Sequence, residues 1–418
     1  MHLRPARGTS AARRTASPPR PDHRARPRSR PRRATRSRRA RRSTHPRTRS
    51  RTRAYVPPPL PEHVTSHPLY GGPTSHAREE REERGRVIVE VGLFCAFRNP
   101  PPWARPPEQL YADCLEQIRF AEELGFDGVW IGEHHFTDDG FAPSVMTLAA
   151  AVAAVTTRVQ IGTYVLLLPQ HHPVRVAEAA ATVDVLSGGR LILGLGLGYR
   201  TKEFEPVSLD YHHRGALMDE SLEVLVNCFT EDEFSYDGRY FQLSNVAVTP
   251  KPVQQPTPRI IFGGWSEAML RRAARFGVGL AIAPSAEVAE RLARIVEEHG
   301  RDPREQRHYG MALGFVGETD DAAWELAKDH AAWEIDHYNG WFLESGLPKQ
   351  FARDLREECI FGSPEQWIAA VEQQFGDGDR RRCDHLVVEL TVSGMAHADV
   401  MRGLELFGKE VLPGLHAL

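Results

Sequence analysis

The segment Val129–Thr137, VWIGEHHFT, ends an apolar run in a glutamate and two histidines. An imidazole titrates near neutrality and can hold or pass a proton, and a neighbouring carboxylate can fix its tautomer or share a metal ion. On a continuing extended chain, Glu133 and His135 face one way and His134 the other, so the three cannot converge on one ion without a bend. A second pair, His171-His172, follows the next apolar run and precedes Pro173, where a helix starts. These residues leave two chemistries open: proton handling at a flavin site, or a metal-dependent hydrolase built on His134, His135, His171 and His172. Packing or helix capping is the bland alternative.

Two glycine motifs bear on the choice. Gly194, Gly196 and Gly198 recur at period two and so share one face of a strand. A face without side chains either admits a flat ligand or marks a crowded barrel layer. It is not a dinucleotide fingerprint, because Tyr199 and Thr201 stand where G-x-G-x-x-G requires glycine, and no phosphate-cradling G-x-x-x-x-G-K-[ST] loop occurs. Gly263-Gly264-Trp265-Ser266 closes another apolar run and opens a helix at Glu267. Ser266 suits an N-cap, and free N–H groups at such a helix start favour an anion.

The elements that must position these residues alternate short β-branched or Leu-rich runs with longer helical patterns, as repeated βα units do. Strands are predicted near Val87–Phe97, Gly128–His134, Arg158–Leu168, Arg190–Gly198, Arg259–Gly263, Leu280–Ala283, His308–Val316 and His385–Leu390. Eight such runs predict a (β/α)8 barrel, whose sites collect at the carboxyl ends of the strands. Between the first two, Pro107–Leu124 carries Leu110, Cys114, Ile118 and Ala121 on one helical face, and Gly125 ends it. Insertions are predicted after strands 4 and 7. The first comprises the loop Tyr199–Tyr211 and a hairpin, Phe234–Leu243, turning at Asp237-Gly238. The second, Ala322–Gln373, holds AAWEIDHYNGWF, a candidate lid or substrate wall.

The overall charge of −2 hides two unlike polymers. Residues 1–53 hold 20 Arg and a single acid, Asp22, leaving 33 basic and 54 acidic residues to the rest of the 418-residue chain. The head, residues 1–86, has too little apolar content to build a core and is expected to be disordered. Its most economical reading is an extension upstream of the true start, with the foldable domain spanning residues 87–418; a transit peptide or an RNA-binding arm are the alternatives. The acidic body argues against nucleic acid as the main partner, and no apolar run is long enough to span a bilayer. Cys95, Cys114, Cys228, Cys359 and Cys383 are scattered and never spaced CxxC, which points to a reducing, cytoplasmic setting and away from a thiolate metal site.

From about Val89 to Leu415 the chain resembles the bacterial luciferase-like, flavin-dependent monooxygenases. The resemblance rests on Glu133–Thr137, on Ile161-Gly162-Thr163 before Leu168-Pro169, on His172–Arg175 with Ala177-Glu178, and on Leu186–Arg190 leading into the glycine strand. It is looser through Ile261–Ser266 and Gly403–Leu415. It implies a barrel enzyme that takes reduced FMN from a separate NAD(P)H-dependent reductase and uses O2 on a small organic substrate. His134 becomes the active-site imidazole, with Glu133 and His135 supporting it. Cofactor contacts fall to Thr163, Tyr164, Val165, Gly196, Gly198, Gly263, Gly264, Trp265 and Ser266, with a non-prolyl cis peptide at Tyr164-Val165. A homodimer or a paired heterodimer is implied as well.

Two departures qualify the resemblance. Bacterial luciferase itself has a reactive cysteine where Gly196 stands, and next to it a phosphate-binding arginine is matched by Leu197. The cofactor phosphate must then lean on backbone N–H groups around Gly264–Ser266 and on Arg200 or Lys202. The rivals are a deazaflavin F420-dependent hydride transfer on the same barrel, the metal-dependent hydrolase, and a non-catalytic luciferase-like subunit. Glu203 is a minor candidate for the mouth. Cys95, Phe97, Trp103, Phe141 and the stretch Trp333–Phe342 are expected to make the mouth apolar.

Overall fold

The computed structural model describes residues 89–418 except 283–284, 353 and 377–382; the predicted head at 1–86 lies outside the described residues. Strands β1 (Glu90–Phe94), β2 (Gly128–Ile131), β3 (Gln160–Thr163), β5 (Leu191–Gly196), β8 (Arg259–Phe262) and β9 (Gly279–Leu280) lie side by side in that order, all parallel. Strand β12 (His385–Glu389) pairs with β1 on one side and with β10 (Tyr309–Val316) on the other, again in parallel. Seven of these lie within the predicted barrel runs and are shorter than them, whereas β9 starts at Gly279 and meets its predicted run Leu280–Ala283 only at Leu280. The short strand β4 (Leu166–Leu167) pairs with β5 after a break at Tyr164 and Val165.

No ladder joins β9 to β10 among the described residues, and other contacts hold that seam. The Gln306 side chain donates to the carbonyl of Val278 at 2.8 Å, and the Leu280 N–H donates to His308 Nδ1 at 3.3 Å. Glycine is required at 279, because a Cβ there would lie 1.6 Å from the Arg307 carbonyl oxygen.

The helices form for the reasons the sequence offers. Helix α1 (Pro107–Leu124) buries Leu110, Cys114, Ile118 and Ala121, and Gly125 ends it in the left-handed region at φ 103°. Helices α2 (Val145–Val155) and α3 (Pro173–Ser187) follow β2 and β4, and Gly188 caps α3 in the same left-handed way. Helix α4 (Arg214–Thr230) leads to the hairpin β6 (Phe234–Asp237) and β7 (Gln242–Val246), which extends three residues past the predicted end. Ser266 caps α5 (Glu267–Phe276) and Ser285 caps α6 (Ala286–Glu298).

The second insertion contains α7 (Asp320–Glu344), the short α8 (Leu355–Glu358), a strand β11 (Cys359–Gly362) and α9 (Pro364–Phe375). Strand β11, which the apolar pattern does not predict, pairs with the upper half of β10. Helix α10 (His397–Leu406) then returns against α1, and its end runs through a π turn into α11 (Leu412–Leu415). No described helix is long and apolar enough to cross a membrane, and the five cysteines are buried and in no disulfide.

Inside the barrel, below the strand ends, Trp130 fills the cross-section. Its Nε1 donates to His385 Nε2 at 2.9 Å, and its ring lies 5.1 Å from that of Tyr309 and 5.9 Å from that of Tyr164. Gly92 and Gly162 make room for it, since a Cβ at either would lie within 2.4 Å of the indole. This layer is packed solid, so the functional mouth lies above it.

Candidate active site

Strand β2 ends at Ile131, and Glu133, His134 and His135 leave it with the alternation that extended backbone imposes. His134 turns into the barrel mouth, while Glu133 and His135 turn toward the loop after β4. The tripeptide thus serves two separate clusters.

On the mouth side, His134 Nδ1 lies 2.8 Å from Glu203 Oε1. The same oxygen accepts the His135 N–H at 3.0 Å and Arg200 Nη1 at 3.1 Å. Burial opposes a charge on Glu203, yet the His134 bond, the His135 N–H and Arg200 outweigh it and hold the carboxyl below its ordinary range. A carboxylate facing Nδ1 makes that nitrogen the donor and leaves Nε2 as the free lone pair. Burial pushes the His134 imidazole below its ordinary value against the pull of Glu203, and the Arg200 and Arg98 cations push the same way. His134 is therefore neutral at neutral pH, a base held in a dry place.

Aromatic rings make that place dry. Trp341, Phe141, Tyr199 and Tyr338 have centroids 4.7, 4.9, 5.8 and 6.0 Å from the imidazole. Trp341 and Tyr338 come from α7, so the second insertion walls this side of the site. Arg98, just past the end of β1, ties α7 to the loop after β2: Nε pairs with Asp139 at 2.5 Å and Nη1 with Glu334 of α7 at 2.7 Å, all buried. Its guanidinium lies 4.8 Å from the ring centres of both Phe141 and Trp333. Glu389, at the end of β12, is buried beside this group; burial first and Glu334 second push its carboxyl well above the usual range. Sequence reasoning passed over Arg98 and Glu389, although each is a lone charge closing an apolar barrel strand. It also gave Glu203 too little weight, because its partners His134 and His135 lie 69 and 68 residues away along the chain.

On the other side, Glu133 is buried and its Oε2 accepts the Leu167 N–H at 2.5 Å. Its Oε1 meets His171 Nε2 at 2.8 Å and His135 Nε2 at 3.2 Å. Burial disfavours its charge, but the two imidazoles and the amide pull its pKa down to about 2, and Glu133 raises that of His135 in return. The four histidines of the hydrolase reading do not meet: His134 belongs to Glu203, and His172 packs edge-on against Phe241 with ring centres 5.4 Å apart.

The expected cis peptide is present at Tyr164-Val165. Its surroundings correct the reading of the glycine strand. A Cβ on Gly194 would lie 1.9 Å from the Thr163 carbonyl oxygen, and one on Gly196 would lie 2.4 Å from Val165 Cγ2. The glycine face is thus filled by the neighbouring strand's bulge, and Val165 also packs toward Gly263. The Thr163 hydroxyl is spent on the Gly194 carbonyl at 2.7 Å, and Tyr164 turns inward to reach the Tyr309 carbonyl at 3.2 Å. Only the backbone of 163–165 is left to face a ligand at the mouth. Gly198 has φ 73° and packs on Phe204; Gly264 has φ 119° and leads to the half-exposed Trp265 and the Ser266 cap.

Both basic residues expected near a cofactor phosphate have carboxylate partners. Arg200 is buried, bonded to Glu203 and stacked 4.3 Å from the Trp341 ring centre, and Lys202 makes an exposed pair with Glu344 of α7 at 2.8 Å. In the sequence both read as loop cations. Burial of the first and the length of α7 account for the difference.

The parallel barrel thus carries at its strand ends an imidazole–carboxylate pair under an aromatic helix, an arrangement able to hold or pass a proton away from water. Residues 89–380 match the family model described as luciferase-like monooxygenase, so the chain belongs to that family and is an oxidoreductase. The alkanal monooxygenase alpha chain of Photorhabdus laumondii is 26% identical over 357 residues, which is 78% of this chain and 98% of that one. Among solved structures, a monooxygenase from Streptomyces bottropensis superposes with TM-score 0.64 at 23% identity, covering 78% of this chain and 99% of that one. An F420-dependent secondary alcohol dehydrogenase in complex with an F420–acetone adduct superposes with TM-score 0.62 at 20% identity, covering 78% of this chain and 99% of that one. These likenesses fix the fold and leave the choice of flavin or deazaflavin open.

Proposed function

We propose that the protein is the oxygenase component of a two-part monooxygenase, using reduced FMN and O2 on a small organic substrate, with a separate NAD(P)H-dependent reductase supplying the flavin. The observation that carries this reading is the neutral His134, its Nδ1 committed to Glu203 and its Nε2 free inside the aromatic pocket. The site has unspent polar capacity for a ligand that brings its own hydrogen-bonding groups: Tyr199 Oη, Arg200 Nε and Glu203 Oε2 are buried without partners beside the imidazole. The fit is good on this edge of the site. The backbone of Thr163, Tyr164 and Val165, with Gly196, Gly198 and Gly263 behind it, would support the ring system, and N–H groups of Gly264, Trp265 and Ser266 would face the phosphate.

When bound, the flavin supplies the reducing electrons for O2. The chain's own residues do the rest. His134 Nε2 takes or returns a proton at the reacting oxygen, and Glu203 keeps Nδ1 protonated so that only Nε2 can do so. Glu133 and His135 act as positioning residues by holding the tripeptide from its other side. Trp341, Tyr338, Phe141 and Tyr199 exclude water, which suppresses hydrolysis and proton leakage from the reacting centre.

A second reading, hydride transfer with F420, is favoured by one observation: Leu197 stands where the resemblance puts a phosphate-binding arginine, and Arg200 turns onto Glu203 and Trp341. Anaerobic titration with reduced FMN and with reduced F420, followed by admission of oxygen, tests both. Saturable binding of FMN and O2-dependent reoxidation coupled to substrate are expected; saturation by F420 alone, with turnover that consumes no O2, overturns the FMN reading. Pairing with a second luciferase-like chain belongs to this proposal and is checked by the mass of the purified assembly.

A further inference from the structure

We propose that Glu133, His135 and His171 form a binding site for one divalent transition-metal ion of the zinc class, distinct from the His134 pocket and independent of the flavin reading. The three side chains come from two strand-end loops, and Glu133 Oε1 and the two Nε2 atoms all lie within 4.8 Å of one another. In tetrahedral zinc with bonds of ~2.0 Å, neighbouring ligand atoms sit ~3.3 Å apart. The observed separations from Glu133 Oε1, 2.8 Å to His171 and 3.2 Å to His135, need to open by only a few tenths of an ångström. The donor set, two imidazoles and one carboxylate with no thiolate, suits borderline divalent ions better than Ca²⁺ or Mg²⁺.

Charge balance is the second argument. Two other clusters have comparable spacing: Asp113, Glu116 and His397, and Asp138, Asp139 and His337. In each, the buried acid is already neutralised by an arginine, Asp113 by Arg105 and Asp139 by Arg98. Glu133 is 3% exposed, and no Lys or Arg pairs with it among the described residues. A buried carboxylate needs a positive partner, and only the two imidazoles face it. A divalent ion meets that need and takes the place of the two Nε2 protons.

The cluster also has the supports that metal sites use. The Leu167 N–H fixes Glu133 Oε2 and so aims Oε1 at the imidazoles, the orienting role that outer partners play around metal ligands. The His171 side chain is 32% exposed, which leaves an entry path and a position for water. Occupancy would clamp the loop after β2 to the loop after β4. Because the His135 N–H also bonds Glu203, the clamp would steady the carboxylate that orients His134.

The test uses the full-length chain, dialysed against a chelator and titrated with Co²⁺ and, separately, Zn²⁺. One equivalent of Co²⁺ is expected to give visible d–d absorption, displaced by Zn²⁺, and one equivalent of Zn²⁺ is expected to raise Tm. His171→Ala should lose the band and weaken uptake at least tenfold with an unchanged far-ultraviolet circular dichroism spectrum. His171→Cys, which restores a ligand, should regain uptake with a new thiolate-to-cobalt absorption. The proposal is overturned if wild type shows no band, or if His171→Ala binds the ion as well as wild type does. The second result would place the ion at another cluster or in the histidine-containing head.

Discussion

The two sides of residues 133–135 solve the same problem, a buried carboxylate against imidazole, with opposite results. On the mouth side Glu203 has a permanent cation, Arg200, and a backbone N–H, so His134 need not be charged and burial keeps it neutral. On the other side Glu133 has no such cation, and it raises the pKa of His135. The same pairing of carboxylate and imidazole therefore yields a free base in one place and a carboxylate held between two imidazoles in the other. What differs is a single arginine and the ring of aromatic side chains that excludes water. Histidine function is set by what surrounds it more than by the histidine itself.

The contrast can be broken most forcefully at His134. Replacing it with Ala should lower kcat/KM by about 10²–10⁴-fold, the usual worth of a positioned acid–base group, while Tm and cofactor affinity stay near wild type. A loss of folding instead of rate would erase the distinction between the two sides. The next largest effect is on stability: Glu133→Ala strands the Leu167 N–H and two imidazoles and should cost about 2–4 kcal/mol by chemical denaturation. Unchanged stability would show that the clamp does not hold the loops.

Smaller effects sharpen the picture. In chelator-treated protein the activity should fall as pH drops through a value below 6.5, where His134 becomes protonated. Glu203→Gln removes the carboxylate that raises this pKa, so the acid limb should move to still lower pH, with a rate loss of about tenfold from the missing charge-assisted bond. A limb that moves upward would assign the titration to another group. His172→Ala should change stability by less than about 0.5 kcal/mol and leave kinetics alone, because its ring only packs on Phe241.

The barrel was legible because its eight strands are short apolar runs punctuated by glycine and charge, and helix α1 was predicted to the residue because Pro107 and Gly125 bracket a clean apolar face. Strand β11 escaped notice because its Cys-Ile-Phe-Gly run sits in an insertion that reads as helix on both sides. In the site, the alternation across residues 133–135 was readable from the pleat alone. The role of Arg200 was not, since a loop arginine reads as solvated until tertiary packing buries it over Trp341. The glycine strand left two readings open for a related reason: periodicity reveals an empty face but not which neighbour fills it, here Val165 and the Thr163 carbonyl.

Trp130, wedged between Gly92 and Gly162, has a kinetic consequence. A barrel closed below its strand ends has one door, and whatever sits deepest must enter first and leave last. If the cofactor ring lies against residues 163–165, as proposed, with the organic substrate above it, the reduced cofactor has to arrive first and addition is compulsory in order. Substrate in excess then queues in an empty mouth and bars the cofactor, and initial rates should pass through a maximum and decline as substrate concentration rises.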